Sequence, residues 1–292
     1  MKKLVSVLLI LFLVINVMPI QSAYAATVKL NKTSINLNVG KSYNLQLTGT
    51  KKAVKWSSSD AKIASVSTKG VVKGIKKGSA KITAAVSGKK YTCKVTVKEV
   101  FNAKTAIEKL SIKEDDLGNG VIAILENKYS FSYSLTANIV FYDKTGKMIG
   151  TSTSDNDYFV KGKKCALFFD GPYDSNYKDV EYASYKITYK ADELSTSVTS
   201  YLSDITVTSN IGTDNVIAEV TNKGNGEPQY TVISIVFYEN GVPVGYKYTY
   251  ADVEAPGSVD YIELSFPRDS DYNAYAVDDY KIFINHSFSY TW

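Results

Sequence analysis

The sequence predicts an all-β protein made of three consecutive β-sandwich domains after an N-terminal leader. Three observations lead to this prediction: short β-branched and aromatic runs with period-2 alternation, turn signals at regular intervals, and a 95-residue internal repeat. The predicted boundaries are 1–25 for the leader, 27–98 for the first domain, 99–109 for a linker, and 110–193 and 199–292 for the repeats. The 292 residues suffice for domains of about 100 residues each.

The first domain is marked by strands and turns between residues 54 and 84. Residues 80–84 alternate apolar and polar side chains, which is the pattern of a half-buried strand. Gly70 suits the positive φ of a hairpin that contains a bulge. Trp56 is interpreted as the core aromatic of this domain, and a surface platform for stacking on sugars is the alternative.

This stretch resembles the group 2 bacterial immunoglobulin-like domain over about residues 27–98. The motifs that carry the resemblance are Val39-Gly40, Trp56-Ser57-Ser58-Ser59-Asp60, Ile63-Ala64-Ser65-Val66, Gly70, Gly74, Gly78, Ala80-Lys81-Ile82-Thr83 and Cys93-Lys94-Val95-Thr96-Val97. The resemblance implies a small β-sandwich of bacterial surface proteins, including adhesins similar to invasin and intimin. It also implies a spacer or adhesive module without catalysis, and it brings no site residues to this chain.

An internal repeat occupies the remainder of the chain. The matching segments are Val121-Ile122-Ala123 with Val216-Ile217-Ala218, Asn127-Lys128 with Asn222-Lys223, Ile139-Val140-Phe141-Tyr142 with Ile235-Val236-Phe237-Tyr238, Gly150 with Gly245, and Tyr185-Lys186-Ile187 with Tyr280-Lys281-Ile282. The offset is 95 residues nearly throughout and 96 around Phe141. Insertions and deletions therefore fall in turns, as expected of a duplicated β-domain.

Each repeat is predicted to be an immunoglobulin-like or related β-sandwich. Asn240-Gly241 is a strong signal for a two-residue hairpin, and Lys144-Thr145-Gly146 is its longer counterpart. The Phe-Tyr-Asp-x-x-Gly pattern that starts at Phe141 resembles the FxLYD-type domain of prokaryotic surface proteins. Repeat 2 departs from this pattern, because Glu239 stands where the pattern has Asp.

The N-terminus has the pattern of a secretory signal peptide. Lys2-Lys3 precede an apolar run over residues 4–18, and Ala23-Tyr24-Ala25 offers a small-residue cleavage site before Ala26. The run is shorter than the ~20 residues that a membrane-spanning helix needs. We therefore expect a secreted, extracellular or cell-surface-associated protein with no transmembrane helix in the mature chain.

Charge is distributed unevenly along the chain. Residues 26–98 hold 16 Lys and one acidic residue, Asp60, for a net charge of +15, whereas residues 99–292 have a net charge of −12. Export argues against nucleic acid as a partner. An anionic cell-wall polymer such as a teichoic acid, a glycan or a surface protein is expected instead, and binding of the polymer by lysines should be salt-sensitive. Two alternatives to such a partner remain: the lysines only solvate the strands, or the basic domain docks on the acidic repeats of the same chain.

The two cysteines fall in different predicted domains. Cys93 shares a strand face with Tyr91 and Val95, and Cys165 lies beside Leu167. We expect two free, buried thiols, because a disulfide would need the two Cα atoms within about 7 Å across a domain boundary.

No catalytic residue, cofactor or metal site is predicted, and the ligand-binding residues are unknown at this point. The only histidine, His286, alternates with apolar residues on the last strand and is interpreted as a packed, hydrogen-bonded residue. A Cys-His nucleophile would require Cys165 and His286 to meet across two domains. No zinc, phosphate-loop or nucleophile-elbow motif is present in the sequence.

Acidic side chains supply the other candidates for chemistry. A glycosidase would need two carboxylates that face one cleft, and the candidate pairs are Asp155 with Asp157, Asp269 with Asp271, and Asp278 with Asp279. We interpret them as a solvated acidic surface. The loop clusters Asp155-Asn156-Asp157 and Asp269-Ser270-Asp271 carry oxygen ligands that suit calcium. They lack the spacing of an EF-hand, so turn formation is the favoured interpretation.

The 23 tyrosines allow a carbohydrate-binding surface on which aromatic rings stack against sugars. Those near predicted loops or strand edges are Tyr158, Tyr173, Tyr177, Tyr246, Tyr248, Tyr250, Tyr272 and Tyr275. We predict a secreted or cell-surface, non-catalytic interaction protein that acts in adhesion, in cell-wall association or as a spacer. The alternative is a carbohydrate-binding accessory module, which an aromatic row on one sheet face would favour. A glycan hydrolase would need carboxylates that converge in a deep cleft.

Overall fold

The structure is a computed structural model that describes residues 27–195, 197–269 and 272–290. The predicted signal peptide at 1–25 lies outside the described residues. The described chain is nearly all β, as predicted, and it divides into two compact units at Val100 and Phe101. Among the described residues, no helix is long and apolar enough to cross a membrane.

The described part of the first unit contains nine strands. They are β1 (Lys29–Leu30), β2 (Ser34–Asn38), β3 (Ser42–Asn44), β4 (Leu47–Thr48), β5 (Lys55–Ser58), β6 (Ala64–Val66), β7 (Val71–Gly74), β8 (Gly78–Val86) and β9 (Lys89–Lys98). The two larger sheets have the orders β2-β9-β8-β5 and β3-β7-β6, and β1 pairs with β4. Strand β2 runs parallel to β9. Residues from both larger sheets form one buried core, so this unit is a β-sandwich.

Gly70 and Trp56 meet at the turn that leads into β7. Gly70 has a φ of +81°, and a Cβ atom there would lie 2.3 Å from the carbonyl oxygen of Leu45 and 2.9 Å from Cζ2 of Trp56. Only glycine fits this position, which confirms the predicted positive φ. Trp56 is half-buried and packs against the core, as predicted.

The second unit begins with a short helix and continues with the two repeats. Repeat 1 consists of α1 (Ala103–Glu108), β10 (Leu110–Asp116), β11 (Gly120–Asn127), β12 (Tyr133–Tyr142), β13 (Met148–Phe159), β14 (Lys164–Asp170) and β15 (Ser184–Glu193). Repeat 2 consists of β16 (Val198–Ser200), β17 (Ile205–Ile211), β18 (Asn215–Asn222), β19 (Tyr230–Glu239), β20 (Val242–Tyr250), β21 (Val259–Ser265) and β22 (Asp279–Tyr290).

The sheet topology is duplicated together with the sequence. Repeat 1 has the strand orders β10-β11-β14 and β13-β12-β15, and repeat 2 has β17-β18-β21 and β20-β19-β22, with β16 added beside β22. All pairs within the repeats are antiparallel. The segments matched in the sequence therefore occupy equivalent strands.

The helix α1 lies within the predicted linker at 99–109. Asn102 caps it, because the side-chain oxygen of Asn102 accepts a hydrogen bond from the backbone N–H of Thr105 at 2.9 Å. Ala106 is fully buried in the core of repeat 1, and Phe101 packs against the same core. Residues from Phe101 onward therefore belong to the second unit, since apolar burial fixes them there.

The repeated asparagines Asn127 and Asn222 have the same structural role. The side-chain amide of Asn127 donates to the carbonyl oxygens of Phe131 and Phe159, at 3.0 and 2.9 Å. Asn222 likewise donates to Gly226 and Val253, at 2.9 and 3.1 Å. Both are fully buried, so each amide satisfies backbone groups that would otherwise lose their hydrogen bonds on burial.

The hairpin between β19 and β20 forms as predicted. Asn240 and Gly241 both have positive φ, at 53° and 78°. This is the type I′ geometry whose twist matches that of the flanking strands. The hairpin sets the register of β20, the strand that carries Tyr246, Tyr248 and Tyr250.

The two repeats pack against each other through unlike faces. The outer face of β11 and β14 in repeat 1 contacts the outer face of β19 and β22 in repeat 2. The buried residues of this junction are Ile122, Ala166, Val236, Tyr238 and Phe283, with Leu117, Ile124, Phe168 and Tyr246 packed around them. The sequence left open whether the domains touch, and this apolar junction joins the repeats into one compact unit.

A buried amide occupies the centre of the same junction. The side-chain oxygen of Asn285 accepts hydrogen bonds from the backbone N–H of Ala166 at 3.1 Å and from the hydroxyl of Ser234 at 2.9 Å. Its side-chain nitrogen donates to the carbonyl oxygen of Ala166 at 2.8 Å. The amide of Asn156 in turn donates to the carbonyl oxygen of Asn285 at 2.7 Å. This network fixes the register of one repeat on the other, because each buried polar group needs its partner.

Candidate binding cleft between the two repeats

A cleft of about 810 Å³ opens beside the buried amide network. One wall comes from β13 and β14 of repeat 1, and the other comes from β20, β21 and β22 of repeat 2. Its polar lining includes Asp155, Asp157, Asp170, Glu263 and His286. Aromatic and acidic side chains thus share one concave surface, which only the packing of the two repeats creates.

Four aromatic rings form a row along one side of the cleft. Tyr246, Tyr248 and Tyr250 alternate along β20 and therefore project from the same face. Successive ring centroids are 6.5 Å apart, and Phe168 of repeat 1 stacks on Tyr246 at 5.4 Å with an interplanar angle of 20°. Tyr248 and Tyr250 are 62% and 64% exposed. The row therefore has a buried end at the junction and an exposed end in the cleft.

Tyr246 anchors the row to the junction. Its hydroxyl donates a hydrogen bond to the carbonyl oxygen of Ala166 at 3.2 Å. Burial raises the pKa of Tyr246, so the hydroxyl remains protonated and keeps this bond. Tyr248 and Tyr250 therefore follow, on the same strand, a tyrosine that is held in place. A site that stacks rings on a ligand gains affinity when its rings are positioned before binding.

The carboxylates of the cleft lie on regular strands rather than on loops. Asp155, Asn156 and Asp157 all belong to β13, which corrects the predicted loop cluster. Asn156 is buried: its amide nitrogen donates to Asn285, and its oxygen accepts from the backbone N–H of Tyr158 at 3.1 Å. Both polar atoms of the Asn156 side chain thus make hydrogen bonds within the protein.

The other acidic candidates lie outside the cleft. Asp278 accepts a hydrogen bond from the backbone N–H of Asn240 at 2.9 Å, and Asp279 accepts from Tyr280 at 2.8 Å. Asp269 accepts from the backbone N–H of Asn273 at 2.8 Å, while residues 270 and 271 lie outside the described residues. Within the described ranges, no group of three His, Cys, Asp or Glu side chains is arranged to hold a metal ion.

His286 faces the cleft because β22 contains a bulge. The strand register shifts by one residue between the pairs Ile233–Ile284 and Val232–His286, so Asn285 is the extra residue. The shift turns His286 away from the face of Ile284, where the sequence placed it. Its Nδ1 atom has no hydrogen-bond partner among the described residues, which differs from the prediction of a hydrogen-bonded histidine. Burial lowers the pKa of His286, and the nearby Asp157 opposes this effect.

Both cysteines are free and buried, as predicted. Burial raises the pKa of the Cys165 thiol to about 12, so the thiol stays protonated at neutral pH. Cys165 belongs to the core of repeat 1, while His286 lines the cleft. This arrangement does not provide the thiolate that a Cys-His nucleophile requires.

The remaining tyrosines singled out in the sequence are dispersed. Tyr173, Tyr177 and Tyr272 are exposed, and Tyr158 stacks on Phe288 with ring centroids 6.5 Å apart. The sequence singled out the β20 tyrosines as residues near predicted loops or strand edges, and the structure places them on one face of a regular strand. Sequence reasoning missed Phe168, Asp170 and Glu263, because their place in the cleft depends on how the repeats pack.

The described residues form a multidomain β-sandwich protein. Residues 25–106 match the family model of the bacterial Ig-like domain (group 2), which is consistent with the resemblance found in the sequence. Such a domain indicates a surface or adhesion-type module. The match covers the β-sandwich of the first unit, extends into α1 of the second unit, and includes none of the cleft.

No curated protein matches the chain. Two solved structures with weak similarity are a transglutaminase from red sea bream and a mutant alpha-2-macroglobulin from Salmonella. The first has 11% identity and a TM-score of 0.18, over 54% of this chain and 27% of that one. The second has 9% identity and a TM-score of 0.19, over 92% of this chain and 23% of that one. This chain thus spans about a quarter of either length, and TM-scores this low carry no inference.

Proposed function

We propose that the protein is a secreted or cell-surface module that binds a glycan in the cleft between its two repeats. The observation that carries this proposal is the aromatic row with its exposed end at Tyr248 and Tyr250. Each exposed ring can stack on the apolar face of a sugar, and the planes of Tyr248 and Tyr250 meet at 73°, so the two rings face different directions. The carboxylates along the cleft offer acceptors for the hydroxyl groups at the sugar edges.

The charge of the cleft selects among glycans. Asp155, Asp157, Asp170 and Glu263 line it, and Lys247 is the one basic residue of the lining. Like charges repel a uronic acid or another acidic sugar in such a site. Neutral sugars and amino sugars are therefore the favoured ligands. The aromatic row supports binding, and we therefore propose a glycan-binding module rather than a hydrolase.

Replacing both Tyr248 and Tyr250 with alanine should abolish most of the glycan binding. We expect each single change to weaken glycan affinity about tenfold, since the stacking contact is lost. Titrations followed by NMR, with N-acetylglucosamine oligomers, gluco-oligosaccharides and oligogalacturonates, would measure the effect and the charge preference.

Tyr261 provides the matched control for these changes. It is a similarly exposed tyrosine, at 69%, on β21 of the other sheet of repeat 2, and it does not line the cleft, although Glu263 two residues later does. Tyr261→Ala should leave glycan affinity unchanged. Equal losses from Tyr261→Ala and Tyr248→Ala, or a preference for oligogalacturonates, would refute the assignment of the cleft.

The first unit supports a second contact, with an anionic wall polymer. Sixteen lysines lie in residues 26–98, and Asp60 forms no ion pair with them among the residues that the structure describes. We infer that this basic surface attaches the protein electrostatically to polymers such as teichoic acids. Lysine binds phosphate groups as a point charge, and salt screens that interaction.

Co-sedimentation with purified Gram-positive cell walls would test this attachment. Residues 27–100 should pellet with walls at low salt and lose most of that binding when salt is raised from 0.05 to about 0.5 M, because the Debye length shortens. Residues 101–292, with their acidic excess, are the control and should show no salt-sensitive pelleting. Two outcomes would contradict the proposal: residues 27–100 still pellet at high salt, or they still pellet with walls from which the teichoic acids have been removed.

A further inference from the structure

A second pocket, of about 280 Å³, lies at the same junction but has the opposite charge. Lys281 and Phe283 of β22 line it, whereas Asn285 and His286 of the same strand line the aromatic cleft. Lys281 and Asn285 are four residues apart, which corresponds to about 13 Å along a strand. The pocket is therefore a separate site, with a different chemistry from that of the glycan cleft.

Three lysines from three strands converge on this pocket. They are Lys113 of β10, Lys164 of β14 and Lys281 of β22, and Glu126 is the one acidic residue of the lining. This convergence is unusual for residues 99–292, which carry an excess of acidic side chains. A local surplus of positive charge in a concave site attracts an anion.

The surroundings partly neutralise this charge but leave one lysine available. Lys113 pairs with Asp115 at 2.6 Å, and Lys128 lies 3.8 Å from Glu126. The Nζ atom of Lys281 lies 4.5 Å above the ring of Tyr238. Within the described residues, Lys164 has no carboxylate within ion-pair distance. It lies opposite Glu126 across the β11–β14 pair, but no ion pair with a described residue holds its Nζ atom there, so Lys164 can turn to a ligand in the pocket.

Tyr238 supplies an independent sign of a missing partner. The residue is 3% exposed, and its hydroxyl has no hydrogen-bond partner among the described residues. It also lines the pocket. A buried hydroxyl without a partner is unfavourable, and an oxyanion in the pocket would accept its hydrogen bond. Burial raises the pKa of Tyr238, so the hydroxyl keeps its proton and can donate.

We propose that this pocket binds a phosphoryl group, with Tyr238 donating a hydrogen bond and Lys164 and Lys281 supplying the charge. A phosphate offers several strong acceptor oxygens, which suits lysines that converge from separate strands. A carboxylate presents only two oxygens in one plane. The phosphoryl group can come from free phosphate, from a small phosphate monoester or from a phosphodiester polymer.

The internal repeat supplies matched controls for each pocket residue. Lys186 is the repeat 1 equivalent of Lys281, and Tyr142 is the equivalent of Tyr238. Neither equivalent residue lines the pocket. The test therefore compares Lys281→Gln with Lys186→Gln, and Tyr238→Phe with Tyr142→Phe, in the purified full chain.

Calorimetric titrations at low salt would use inorganic phosphate, glycerol 3-phosphate, a glycerol phosphodiester and acetate. We expect Tyr238→Phe and Lys281→Gln each to weaken phosphate binding about tenfold, because each removes an interaction with a charged ligand. The two control variants should bind like the unchanged protein. The preferred phosphate compound among the first three identifies the source of the group.

The unfolding temperature of Tyr238→Phe without ligand distinguishes a loss of phosphate binding from a general loss of stability. If the pocket is built for an anion, this variant should unfold at the same or a higher temperature without ligand, since an unpartnered hydroxyl is removed. It should also lose most of the thermal stabilisation that added phosphate gives the unchanged protein. Acetate binding as tightly as phosphate, equal effects in Lys186→Gln, or no phosphate binding by the unchanged protein would overturn the proposal.

Discussion

Replacing Ile122 with alanine is expected to destabilise the second unit by about 3 kcal/mol, whereas the same change at Ile217 should alter its stability by less than ~0.5 kcal/mol. The two residues occupy equivalent positions in the repeats, within identical Val-Ile-Ala triplets. Ile122 is fully buried in the junction with Val236, Tyr238 and Phe283. Ile217 is 49% exposed. The difference between the two stability losses measures what the junction contributes to the free energy of unfolding, because both changes replace isoleucine on equivalent strands.

Urea denaturation of the full chain, combined with hydrogen exchange, would measure this pair of variants. Hydrogen exchange resolves the loss to particular strands, and the protection of β11, β14 and β22 should fall together in Ile122→Ala. The first unit, residues 27–100, serves as an internal reference and should not change. Similar losses at Ile122 and Ile217 would show that the repeats do not rely on this junction.

Replacing Asn285 with alanine should be comparably damaging, at about 3 kcal/mol. The change leaves the backbone N–H of Ala166 and the hydroxyl of Ser234 without their partner, and it opens a cavity between the repeats. An unsatisfied buried donor costs more than the net value of the hydrogen bond itself. The carbonyl oxygen of Ala166 keeps its hydrogen bond from the hydroxyl of Tyr246, which limits the loss of stability.

The control is Lys190, which the 95-residue offset aligns with Asn285 in the sequence, although the bulge leaves Asn285 without a paired counterpart in β15. Lys190 is exposed on β15, so Lys190→Ala should change stability by no more than ~0.5 kcal/mol. Thermal unfolding followed by circular dichroism would rank the two variants. Since the amide of Asn285 lies next to the aromatic cleft, Asn285→Ala should also weaken glycan binding. An Asn285→Ala protein as stable as Lys190→Ala would show that the amide network is dispensable.

The junction is heterologous, because an outer face of repeat 1 contacts a different outer face of repeat 2. Heterologous contacts leave one unused face on each partner and can propagate. On the equivalent outer face of repeat 2, Tyr261 and Glu263 stand at the positions of Ala166 and Phe168, and Glu263 lines the edge of the cleft. Both are exposed. A bulky tyrosine and a charged glutamate do not reproduce the apolar surface of repeat 1, so this face of repeat 2 offers no second copy of the junction surface.

Much of the architecture follows from local sequence. Alternation over residues 80–84 identifies a strand, Asn240-Gly241 identifies a hairpin, and Gly70 identifies a turn of positive φ, because each depends on the conformational preferences of a few neighbouring residues. The duplication is equally visible, since it needs only comparison of the chain with itself. Export and attachment to the wall stay predictions from the sequence.

The cleft and the basic pocket were decided by tertiary packing. Ile122 and Ile217 are indistinguishable in sequence, yet one is buried and the other is exposed, because only the faces of β11 and β14 contact the second repeat. The bulge at Asn285 reverses the alternation that a period-2 pattern predicts, and it turns His286 into the cleft. Local periodicity records which face of a strand is apolar but not which surface covers it. The sites at the junction therefore arise from contacts between residues more than 100 positions apart, such as Ala166 and Asn285.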